Sequence, residues 1–97
     1  MWYVYVLHSL KTGLWYTGST KDLRKRISRH NGGENFSTKP GVPWRLLYYE
    51  AGLAREDARA REKYLKSGMG KRYLRDRLKF FFANPVRSLA SNGVEGF

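Results

Sequence analysis

The sequence predicts one α/β domain, a small three-stranded, mainly antiparallel sheet flanked by helices in the order ββαβαα. Three observations predict it. Two short apolar runs near the N-terminus alternate with period two and are separated only by a turn. Three later stretches repeat their apolar residues with period 3.6. A third strand-like run lies between the first and second of these helical stretches.

Residues 2–8 read as the first strand, with Tyr3, Tyr5 and Leu7 on one face and Trp2, Val4 and Val6 on the other. Ser9 to Gly13 form a turn, and Leu14 to Gly18 are the second strand, completing an antiparallel hairpin in which Tyr5 and Tyr16 share a face. Asp22 to Asn31 read as a helix. Ser19-Thr20-Lys21-Asp22 resembles a capping box, and Gly32-Gly33 stop the helix. At about 100° per residue, Leu23 and Ile27 mark its inward face. Arg26 and His30 fall on that same face, while Arg24, Lys25 and Arg29 point away.

Gly32 to Pro43 is a loop, in which Asn31 at its border and Thr38 are candidates for ordering the loop or touching a ligand. Trp44 to Glu50 is the third strand. Leu53 to Ser67 is a helix with Ala54, Ala58, Tyr64 and Leu65 inward, ended by Gly68 and Gly70. Lys71 to Ala83 is a third helix with Leu74, Leu78, Phe81 and Phe82 apolar and Arg72, Arg75 and Lys79 exposed. The domain is expected to cover residues 1–83, with residues 84–97 a flexible tail.

Composition narrows the function. The 97 residues carry a net charge of +11, with 41% hydrophobic and 15% aromatic residues and no cysteine. Residues 1–50 hold 8 Lys and Arg against 3 acids, and residues 51–97 hold 11 against 5, so the charge is spread over the whole chain. Such a surface suits a polyanion, above all nucleic acid. No thiolate chemistry is available, and two histidines without clustered acids argue against zinc. No run approaches the roughly 18 apolar residues of a membrane span, and no signal peptide is evident. A cytoplasmic location is the expectation, as a monomer or weak dimer.

Read singly, the polar residues have ordinary explanations. Glu62 pairs with Arg59 or Lys66 on a helix surface, or serves as a hard-cation ligand. Tyr5 and Tyr16 pack on a sheet face, Arg26 is a surface arginine, and His30 closes a helix. Trp15 and Trp44 are core residues in preference to stacking platforms for bases.

Together they carry more. Tyr3-Val4-Tyr5, Tyr16-Thr17-Gly18, Arg26 ten residues after Tyr16, His30 one turn on, and Glu62 on a later helix resemble the GIY-YIG nuclease superfamily. The resemblance covers roughly residues 2–82 and is nearest to small single-domain bacterial members of the excinuclease-subunit-like kind. Tyr3 and Val4 replace Gly-Ile, and Thr17 replaces the middle Ile, all at packing positions. The resemblance implies a metal-dependent DNA endonuclease of DNA repair, recombination or processing, with RNA as a further substrate class, leaving 5′-phosphate and 3′-hydroxyl ends. It further implies Tyr5, Tyr16, Arg26, His30 and Glu62 as the catalytic set, with Glu62 holding Mg²⁺ or Mn²⁺. In that scheme Arg26 grips a phosphate oxygen, Tyr5 acts as general base, and Tyr16 orients water or phosphate. Arg24, Lys25, Arg29, Arg72, Arg75 and Lys79 are the expected backbone contacts. The alternative is a nucleic-acid-binding module with this fold and no cleavage.

Overall fold

The structure, a computed structural model, describes residues 1–83. Strands β1 (Trp2–Ser9), β2 (Trp15–Thr20) and β3 (Trp44–Gly52) form one antiparallel sheet in the order β2-β1-β3, so β2 is an edge strand. Helix α1 (Leu23–Asn31) follows the hairpin. Helices α2 (Arg55–Lys66) and α3 (Gly68–Arg77), with a last turn α4 (Lys79–Phe82), follow β3. The predicted order ββαβαα is the observed one.

Alternation along β1 divides the core between the two sheet faces. Tyr5 and Leu7 pack against Leu23 and Ile27 of α1 and against Trp44, with Tyr16 at the border of the cluster. Val4 and Val6 point the other way, onto Leu65 of α2 and Leu74 of α3. The sheet is thus sandwiched, α1 on one side and α2 with α3 on the other. Trp44 is buried, whereas Trp15 is half-buried and stacked on Phe82 at 5.7 Å. Val4 and Thr17, two of the substituted motif positions, are buried packing residues. No helix among the described residues is long and apolar enough to cross a membrane.

Several boundaries differ from the sequence reading. β2 continues to Thr20 and β3 to Gly52, because β1 runs on beside them and supplies the ladder partners. Asp22, not Ser19, caps α1, its carboxylate accepting from the Lys25 amide at 3.1 Å. Helix α2 starts at Arg55, so Ala54 is its exposed N-cap and has no place in the buried stripe.

The largest difference is at Gly68 and Gly70, which open α3 and do not end α2. Ser67 closes one helix and caps the next, accepting from the Gly70 amide at 3.2 Å. Gly70 presses against the Tyr64 carbonyl and the Leu65 backbone, where a Cβ has no room. Glycine is there for close helix packing. The single long third helix of the sequence reading breaks at Leu78, whose φ of −110° and ψ of 26° leave helical geometry. The expected tail, residues 84–97, lies outside the described residues.

Candidate active site

Register brings the two tyrosines together. Tyr5 pairs with Gly18 across the β1–β2 ladder, and Tyr16 lies two residues away on the same face. A Cβ at Gly18 would stand 2.6 Å from the Tyr5 hydroxyl oxygen and 3.2 Å from Tyr16 Cε2, so the close approach of both rings requires glycine. Helix α1 then lays Arg26 and His30 onto this face. Leu23, Ile27 and His30 are buried and Arg26 is half-buried, while Arg24, Lys25 and Arg29 are exposed, the facing that helical periodicity predicts.

His30 is wholly buried. Its Nε2 lies 3.0 Å from the Tyr5 hydroxyl, and its Nδ1 lies 2.8 Å from Thr38 Oγ1. Its ring also sits 4.9 Å from that of Tyr16. Burial, with the Arg26 charge, pushes the imidazole down to about 4, so it is neutral at pH 7. Burial and the neighbouring Tyr16 hold the Tyr5 hydroxyl well above the ordinary phenol value, against the pull of the nearby Arg26 charge. That direction works against a resting phenolate at Tyr5.

Glu62 arrives from the other side of the sheet. Helix α2 carries it to the edge strand, where Ser19 Oγ donates to its Oε1 at 2.8 Å and Lys66 Nζ donates to its Oε2 at 2.8 Å. Burial pushes its pKa up, but the bonds from Lys66 and Ser19 and the charges of Lys66 and Arg59 outweigh this, and the carboxyl is held below its ordinary value. It is therefore ionised at neutral pH.

An open groove of about 620 Å³ joins these parts. Tyr16, Gly18, Ser19, Arg26 and Glu62 line it together with Trp2, Arg55, Arg59, Lys63 and Lys66. Tyr5 and His30 do not line this groove; Tyr5 packs against Gly18 of its wall, and His30 borders a separate hollow with Arg26, Arg29 and Asn35. Lys25 and Arg29 line an adjoining hollow that shares Trp2 and Arg26 with it. Arg72, Arg75 and Lys79 line neither, and Arg75 lies 5.4 Å over the Trp15 ring.

The cations of α2 were not among the predicted contacts. Their signal was nevertheless present, since Arg55, Arg59, Glu62, Lys63 and Lys66 follow helical spacing around the acid. Thr38 and Asn31 act on the loop: Thr38 is buried against His30, and Asn31 clamps the Trp44 backbone, accepting from its amide and donating to its carbonyl. The second histidine, His8, accepts from Arg45 at 2.9 Å on the opposite face of the sheet.

The hairpin-first α/β frame agrees with the comparisons to known proteins. UPF0213 proteins from three Streptococcus pyogenes strains, MGAS315, SSI-1 and MGAS10750, are each 42% identical to the chain over 65 residues, covering 66% of it and 70% of the relative. No solved structure matches significantly. Residues 1–84 match the GIY-YIG catalytic domain. The chain belongs to the GIY-YIG family, a nuclease-type catalytic family.

Proposed function

We propose that this protein is a metal-dependent endonuclease that hydrolyses phosphodiester bonds in DNA. The observation that carries the reading is the shared groove, in which one ionised carboxylate faces a half-buried arginine and a tyrosine amid four further cations. A purely nucleic-acid-binding surface has no use for an inward carboxylate among phosphates.

Glu62 suits a hard divalent cation. It is ionised, it offers oxygen, and a single carboxylate suffices where phosphate oxygens and waters complete the shell. Its present partner Lys66 is half-exposed, with 56% side-chain accessibility. An i, i+4 pair of this kind is worth about 0.5 kcal/mol, so Lys66 yields the carboxylate readily. Mg²⁺ or Mn²⁺ held there would polarise the phosphate and support the leaving 3′ oxygen.

The remaining work belongs to the chain's own side chains. Arg26 would hold a non-bridging phosphate oxygen through its planar fork, a contact that strengthens as charge builds. Tyr16, on the groove wall, is better placed than Tyr5 to take a hydrogen bond from the attacking water. Tyr5, behind Gly18, would serve by holding Arg26. Arg55, Arg59 and Lys63 would hold the flanking backbone.

The second reading, binding without cleavage, draws on the pairing of both Glu62 oxygens and on the absence of any metal-suited cluster of three or more acids or histidines among the described residues. The two separate in one assay. Labelled single-stranded, duplex and branched DNA, and RNA, are incubated with and without Mg²⁺. Metal-dependent cleavage, lost in Glu62→Gln, is the expected result. A salt-sensitive mobility shift with no cleavage would favour the binder.

A further inference from the structure

We infer that Thr38 is a positioning residue: its hydroxyl fixes His30 as the Nδ1-protonated tautomer and so directs a one-way hydrogen-bond chain that leaves the lone pairs of the Tyr5 hydroxyl to Arg26. This rests on the reading of Arg26 as the phosphate clamp.

The chain of contacts runs from α1 through β1 to the loop after α1. The Arg26 charge lies close enough to the Tyr5 hydroxyl to favour its ionised form. That hydroxyl lies 3.0 Å from His30 Nε2, and His30 Nδ1 lies 2.8 Å from Thr38 Oγ1. Thr38 Oγ1 donates in turn to the Asn35 carbonyl at 3.4 Å. Tyr5, His30 and Thr38 are all essentially without solvent exposure, so water cannot complete any bond left unmade.

Counting protons then decides the direction. A guanidinium can only donate, so the nearby Arg26 offers the Tyr5 proton no acceptor. The Tyr5 proton needs an acceptor of its own, and His30 Nε2 is the one beside it. Nε2 must therefore be bare, and the proton of the neutral imidazole sits on Nδ1. Nδ1–H requires an acceptor, which Thr38 Oγ1 supplies while sending its own proton to Asn35. Reversing the chain would bury the Tyr5 proton without a partner and turn the Thr38 proton away from Asn35. A buried unmatched donor is the costlier arrangement.

The loop is built to keep Thr38 in place. The Trp44 indole donates to the Thr38 carbonyl at 2.8 Å, and the Thr38 amide donates to the Asn35 carbonyl at 3.2 Å. Asn31 ties the same loop to the Trp44 backbone. A neutral imidazole whose far nitrogen is held by a fixed oxygen has one tautomer in place of two.

The test begins with the parent protein, without metal or nucleic acid, labelled with ¹⁵N in its histidine rings at pH 7. His30 and His8 are told apart by His8→Gln. The expected spectrum shows a pyrrole-type Nδ1 and a pyridine-type Nε2 for His30. A bare Nδ1, or two tautomers in comparable amounts, would overturn the inference whatever the enzyme does. Thr38→Val keeps the shape and removes the hydroxyl; it should give mixed tautomers and about a tenfold lower kcat with KM unchanged. Thr38→Ser should restore both. Parent tautomer and parent kcat in Thr38→Val would also sink it. If Thr38→Val does not fold, the parent spectrum decides alone. Should the parent cleave nothing, the proposed activity fails while the tautomer measurement still stands.

Discussion

The Ser19 hydroxyl donates to Glu62 Oε1 at 2.8 Å, joining the edge strand β2 to helix α2 across 43 residues of sequence. This bond turns a helix-surface glutamate into one wall of the groove that Arg26 and Tyr16 face from the other side of the sheet. Glu62→Gln keeps the shape and the Ser19 contact but removes the charge. It should lower Mg²⁺-dependent cleavage by more than about 100-fold, since the metal's contribution is several kcal/mol. Ser19→Ala, which only frees the carboxylate to turn, should cost about tenfold. Steady-state rates with folded variants check both, and a Glu62→Gln enzyme at the parent rate would exclude the metal role.

Gly18→Ala tests the packing of the two tyrosines. The new methyl would stand 2.6 Å from the Tyr5 oxygen and 2.8 Å from its Cζ, so the ring must move off His30. Overpacking of this kind costs roughly 1–3 kcal/mol, measurable by urea unfolding. Cleavage should fall by more than that loss of folded protein explains. Full activity and stability would mean that Tyr5 can relax harmlessly.

Arg26→Ala should lower kcat by about 10²–10³-fold, the usual effect of removing one donor aimed at developing charge. KM should change little, because the other cations of the groove remain to hold the backbone. A rise in KM with kcat intact would make Arg26 an ordinary binding residue.

His30 makes stability depend on acid. Its folded value of about 4 lies below the ordinary 6.5 or so of an unfolded histidine. Between these values the unfolded chain binds the extra proton, so stability rises with pH through that window. The contribution is fully present above about pH 6.5 and is lost as pH falls toward 4, amounting to about 3 kcal/mol at most. Unfolding free energies of the parent and His30→Gln, measured from pH 4 to 7, should converge at the acid end. Parallel curves would show that His30 does not titrate in this way.

Salt dependence should report where the nucleic acid lies. Neutralising Arg55, Arg59 and Lys63 to Gln should reduce the slope of log affinity against log salt by about 0.7–0.9 per residue. The same change at Arg72, Arg75 and Lys79 should leave most of the slope, since none of these lines the groove or its neighbouring hollow. The reverse ranking would put the substrate along α3.

Much of this architecture is local and therefore legible in the chain itself. Period-two alternation in residues 2–8 dictated which face Tyr5 occupies. The 3.6 period from Leu23 to His30 turned Arg26 and His30 inward before any partner was known. The ordered spacing of Tyr5, Tyr16, Arg26, His30 and Glu62 was enough to suggest the family. Boundaries set by packing were not legible. Gly68 and Gly70 have the composition of a helix stop, yet they open α3, and at Gly70 only a residue without a Cβ fits against Tyr64 and Leu65.

Only the tertiary structure decided where the candidate site residues stand relative to one another. Tyr5 and Tyr16 look equivalent in sequence, but pairing with Gly18 buries Tyr5 behind the strand and leaves Tyr16 on the groove wall. Surface pairing and metal binding were alternatives for Glu62. In the fold it both pairs with Lys66 and faces Arg26, because α2 crosses behind the edge strand. Thr38 had no periodic signal to mark it, since its contact comes from a loop folding back eight residues onto His30. Periodicity decides which face a side chain takes; what it meets there depends on elements distant in the chain, and that is settled by packing.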